Sequence, residues 1–123
     1  MAKPKGLSYF GEVLYELMRA APRYIDNPSQ LARAMRERGY EKMRQQYVDR
    51  YMKLGGYRVP AHFCSQVADT LDLDPVERME LAWAMAYGQD LTLENIERSR
   101  SYKNYRRLIQ GAKGSVGAGD RRL

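Results

Sequence analysis

Cysteine, histidine and tryptophan each occur once, as Cys64, His62 and Trp83, in a chain of 123 residues. A lone cysteine excludes an internal disulfide and a multi-thiolate metal set. Cys64 lies within one turn of Phe63 and Val67 and reads as a small buried hydrophobe. His62 has no Cys, Asp or Glu at a metal-ligand spacing and reads as a surface or capping residue. Long apolar runs are missing as well: no segment reaches the roughly 18 residues of a membrane span. The opening MAKPKGLSYFGE has no apolar stretch of the roughly 7–15 residues that a secretory leader carries. A soluble, cytoplasmic chain without a membrane partner is expected. A Walker-type glycine loop, a Ser-His-Asp set and paired His ligands are also lacking, so no enzyme activity, catalytic residue, cofactor or metal is expected.

What is present is charge, 21 Lys and Arg against 15 Asp and Glu, and it is segregated. Residues 33–58 hold 8 basic and 3 acidic groups, 59–96 hold 1 and 7, and 97–123 hold 8 and 2. Two basic blocks thus flank an acidic one. Such an arrangement points one face toward a polyanion and another away from it.

The apolar spacing is helical throughout. Phe10, Val13, Leu14, Leu17 and Met18 form one stripe that ends before Pro22. Asn27 and Pro28 supply an N-cap and a first-turn proline for a second helix, which buries Leu31, Ala32 and Met35 and stops at Gly39. Tyr40, Met43, Tyr47, Val48, Tyr51, Met52 and Leu54 predict a third helix over about 41–54, with both tyrosines of its second half on the buried stripe. A fourth follows Pro60, burying Phe63, Val67, Ala68 and Leu71. Asp74-Pro75-Val76-Glu77 is the pattern of a capping box and opens a fifth, expected to bury Val76, Met79, Trp83 and Ala86. Thr92 can cap a further segment that the polar run 97–101 interrupts, giving one broken helix or two short ones. The glycine-rich tail from Gly111 has no apolar period and predicts disorder.

Particular residues in this series resemble the Cro and phage-repressor helix-turn-helix family. Leu31-Ala32 with Met35 is similar to that family's Leu-Ala-x-x-Leu, and Tyr47-Val48-Asp49-Arg50-Tyr51 is similar to its third-helix core. Gly55 or Gly56 with Arg58 and Pro60 resembles its Gly-x-x-x-Pro exit, and residues 67–74 resemble the end of its fourth helix. Two departures stand out. Pro28 takes the place of the family's phosphate-binding Gln, and the segment from Met35 to Gln46 is longer than the usual turn.

The resemblance implies an all-α fold: a five-helix repressor-like helix-turn-helix domain over 8–90, a C-terminal helical extension over 91–110 and a disordered basic tail over 111–123. It implies a sequence-specific, nucleoid-associated transcriptional regulator that binds double-stranded DNA as a homodimer. In that geometry the start of the third helix meets base edges while the second crosses the backbone. Arg44, Gln45, Gln46, Asp49 and Arg50 are then the base-reading candidates, since amides pair with adenine and guanidinium groups with guanine. Ser29, Gln30, Arg33, Lys42, Lys53 and Arg58 are phosphate candidates, and Arg98, Arg100, Lys103, Arg106 and Arg107 extend that set into the tail. The acidic fourth and fifth helices should face away from DNA. The surplus of apolar residues on the fifth helix is expected to meet a second copy or to be covered by residues 92–110.

A solvated helix face also carries Lys and Arg, so the basic third helix is not diagnostic alone. The same fold can serve as a protein-interaction adaptor, such as an antitoxin or a phage-assembly subunit, which the missing Gln and the acidic block favour. Ten tyrosines and a basic tail also fit RNA, although the tyrosines fall mainly on apolar stripes.

Overall fold

Capping side chains punctuate the chain. Ser8, fully buried, accepts a hydrogen bond from the Gly11 N–H at 3.0 Å and opens α1 (Tyr9–Ala20). Asn27 accepts from the Gln30 N–H at 2.9 Å to start α2 (Pro28–Arg38), and Gly39, with φ 117°, closes it in the left-handed region. Neither α3 (Gln45–Met52) nor α4 (Ala61–Thr70) has a side-chain cap. The expected capping box between Asp74 and Glu77 begins α5 (Pro75–Tyr87), and Thr92 caps α6 (Leu93–Glu97). Ser99 then accepts from the Tyr102 N–H at 3.0 Å, at the start of α7 (Arg100–Arg121). The computed structural model describes residues 4–121, with 114–121 as backbone only.

Among the described residues the architecture is all-α: seven helices, no strand, and one isolated antiparallel bridge between Leu7 and Lys53. The C-terminal extension accounts for the difference from five helices, because the new start at Ser99 splits it into α6 and α7. The backbone of α7 continues through 111–121, the stretch for which the glycine content predicted disorder. Residues 122 and 123 lie outside the described residues.

The core is organised around α1, whose Phe10, Leu14 and Met18 are completely enclosed. Two glycine contacts set what lies on either side of it. A Cβ at Gly11 would collide with the backbone carbonyl of Met52, so α3 ends directly against α1. A Cβ at Gly88, just after α5, would meet the Tyr9 ring at 2.5 Å. Tyr9 and Gly11 are two positions apart, about 200° around a helix. The ends of α3 and α5 therefore rest on opposite sides of α1.

Three predicted packing details are corrected. The third helix begins at Gln45, not near residue 41, and ends at Met52. The reversed backbone at Gly39 leads instead into a turn, held where Tyr40 N–H donates to the Met35 carbonyl and the Arg36 guanidinium to the Met43 carbonyl, both at 3.0 Å. Tyr40 and Met43 reach the core from this turn, which is why their spacing imitated a helical stripe. Second, α3 buries only Val48 and Met52; Tyr51 is half-buried and Tyr47 is 41% exposed. Third, α5 turns Leu81 and Ala84 inward, while Met79 and Ala86 are exposed. Packing on two sides of this helix explains the shift: Val76 and Trp83 serve a second, smaller core with Tyr102, Tyr105 and Ile109 of α7.

Candidate nucleic-acid interface

The extensively packed pair α2 and α3 is joined by residues 39–44. Inward-facing Leu31, Ala32 and Met35 of α2 meet the same core as Val48 and Met52 of α3, which leaves the remaining sides of both helices outward. Gln45 and Gln46, in the first turn of α3, are exposed and have no side-chain partner among the described residues. Arg50 follows Gln46 by one turn, exposed, with its guanidinium 5.7 Å from the centre of the Tyr57 ring. Asp49 is half-buried. Arg44 is engaged within the chain. It donates to the carbonyls of Glu41 at 2.8 Å and Met43 at 2.9 Å, so its side chain braces the turn.

The phosphate candidates divide similarly. Ser29 and Arg33 are exposed on α2, and Lys42 is exposed in the turn. Gln30 uses its carbonyl oxygen to accept from the Asp26 N–H at 2.8 Å, which leaves its amide donors available. Lys53 donates to the Lys5 carbonyl at 2.9 Å, and Arg58 pairs with Asp90 at 3.2 Å in solvent. Exposed pairs of this kind are weak and exchange readily.

Charge segregation along the sequence does not become a clean division of surfaces. Asp69 of the acidic α4 receives both an Nε and an Nη hydrogen bond from Arg38 of α2, each 2.8 Å, and a third from the Tyr40 hydroxyl at 2.8 Å. The Arg38 fork, reinforced by Tyr40, holds the Asp69 carboxyl well below the usual carboxylate range and raises Arg38 in turn. This contact ties α4 to the end of α2 and removes Arg38 from the charge available to a ligand.

In the extension, Arg98 pairs with Glu94 at 2.9 Å. Arg106, half-buried, lines a 240 Å³ cavity with Glu12, Glu16, Glu80 and Glu97 and so faces carboxylates. Arg100, Lys103 and Arg107 are the tail candidates left exposed without a partner among the described side chains. Trp83 stacks on Tyr105 at 4.1 Å with ring planes 13° apart, so α7 covers Trp83 within the chain, whereas Met79 and Tyr87 of α5 stay exposed.

A groove of about 560 Å³ between the turn, α3 and α4 was not visible in the sequence. Tyr40, Met43, Tyr47, Tyr51, His62 and Gln66 border it. The only sequence signal is the four-residue spacing of Tyr47 and Tyr51, which suits a helix edge as well as a core. Cys64 is buried, with burial pushing its thiol up to about 12. Among the described residues no group of His, Cys, Asp and Glu is placed to hold a metal ion, and no helix is long and apolar enough to cross a membrane. Comparison of the chain with protein-family models, curated proteins and solved structures gives no match.

Proposed function

We propose that this protein is a sequence-specific double-stranded DNA-binding transcriptional regulator, with α3 entering the major groove and α2 lying across the backbone. The observation that carries the reading is the open first turn of α3. Gln45 and Gln46 project from it without intramolecular side-chain partners among the described residues, and Arg50 shares the face of Gln46 one turn later. An amide offers a donor and an acceptor to adenine, and a guanidinium offers two donors to guanine. Arg33, Ser29, the Gln30 amide and Lys42 supply phosphate contacts around them, and Lys53 and Arg58 join by exchanging exposed intramolecular partners for phosphate. Arg44 acts by bracing the turn. The protein works as a nucleoid-associated homodimer on a two-fold site, with the exposed Met79, Tyr87 and Leu108 available to the second copy.

The test is the affinity of Gln46→Ala and Arg50→Ala for a selected duplex against a scrambled one. Loss of one bidentate contact costs about 1–3 kcal/mol on the selected site and little on the scrambled one. Equal affinity of the double variant and the parent for the selected duplex overturns the assignment of α3.

The groove supports a second reading, a protein-interaction adaptor such as an antitoxin or a phage-assembly subunit. Tyr47, 41% exposed beside Tyr51 and Met43, offers a partner a soft, aromatic surface. A stoichiometric protein partner that Tyr47→Glu releases, with no salt-sensitive duplex binding by the free chain, decides for it.

A further inference from the structure

Arg100, Lys103 and Arg107 lie at i, i+3 and i+7 of α7 and are all exposed. They form a stripe rising about 10 Å along the helix axis. Between residues 98 and 119 the chain contains no Asp or Glu, and Arg106 and Lys113, which are turned toward carboxylates, do not belong to the stripe. The opposite side of α7 is fixed: Tyr105 and Ile109 are buried against Val76 and Trp83 of α5, so the basic side points away from the body of the domain.

The position of this stripe matters more than its charge. Helix α1 separates it from the proposed reading helix. The end of α3 rests on α1 at Gly11, whereas α5 and α7 meet α1 on its Tyr9 side, where the Tyr9 ring lies 5.9 Å from Trp83 and 5.8 Å from Tyr102. Side chains of α3 that face outward and side chains of α7 that face outward thus leave the molecule in different directions.

We propose that the α7 stripe is a second, sequence-independent phosphate-binding face, and that one protein molecule holds two duplex segments at once. The proposal rests on the assignment of α3 to DNA. Its energetics are those of counterion release, so capture of the second segment is steeply salt-dependent and indifferent to sequence.

The experiment immobilises a duplex carrying the selected site, adds the full-length protein, and measures retention of a fluorescent mixed-sequence duplex. The expected result is retention by the parent protein. The triple variant Arg100→Ala, Lys103→Ala, Arg107→Ala should bind the immobilised duplex within about twofold of the parent and retain the second at least about tenfold less. The charge-preserving pair Arg100→Lys, Arg107→Lys should retain it as the parent does. Binding of the first duplex by the parent without capture of the second overturns the two-segment proposal alone. So does a triple variant that captures as well as the parent, or one that loses both duplexes in parallel. A parent protein that binds no duplex overturns the α3 assignment together with it.

Discussion

Gly11 has no Cβ to place because the Met52 carbonyl occupies that space. Gly11→Ala should therefore cost about 1–3 kcal/mol in urea unfolding, by forcing α1 and the end of α3 apart. Asp69 makes a different kind of contribution. Its folded carboxyl is acidified by Arg38 and Tyr40, so over the acid range the unfolded chain binds more protons than the folded one. The stabilisation is then fully present above the ordinary carboxylate pKa and is lost as pH falls toward the lowered folded value. Urea titrations of the parent and Asp69→Asn should differ at neutral pH and converge in strong acid. Cys64, with its thiol at about 12, should resist aromatic disulfide reagents at pH 8 until the chain unfolds.

Among the helices, α7 is a buttress as well as a charged surface. Ile109, completely buried on Val76 and Trp83, should cost about 2–5 kcal/mol when cut to Ala, and Trp83 fluorescence should shift to the red as α7 detaches. The sequence signalled the helix starts at Asn27, Asp74 and Thr92, which act as their types and positions suggest, but not the hydroxyls of Ser8 and Ser99 at the starts of α1 and α7. It misplaced the start of α3 because no side chain caps that helix. Gly39 and the turn it begins hold Tyr40 and Met43 at helix-like spacing without a helix. The inward set of α5 was misread because periodicity assumes one buried face, and α5 has two, toward α1 and toward α7. Gln45, Gln46 and Arg50 are exposed, which the helical period predicts for Gln46 and Arg50, positions off the Val48 and Met52 stripe. The bracing role of Arg44 and the enclosure of Arg106 depend instead on tertiary neighbours that no local pattern encodes.

Across the whole molecule, the arrangement of charge is the connecting theme. The sequence separated basic from acidic blocks, and the fold partly reunites them through Arg38 with Asp69, Arg58 with Asp90 and Lys113 with Glu80. The cations that stay outward are concentrated around α2 and α3 and along α7, on different sides of α1. The regulator reading and the two-segment proposal both depend on the first turn of α3 reading duplex DNA. The decisive measurement is a selection of bound sequences from a pool of random duplexes, run in parallel with the parent and with Gln46→Ala, Arg50→Ala. A two-fold motif is expected from the parent, with a half-site that loses definition in the double variant. A pool that stays random with the parent, or the same motif from both proteins, refutes the reading.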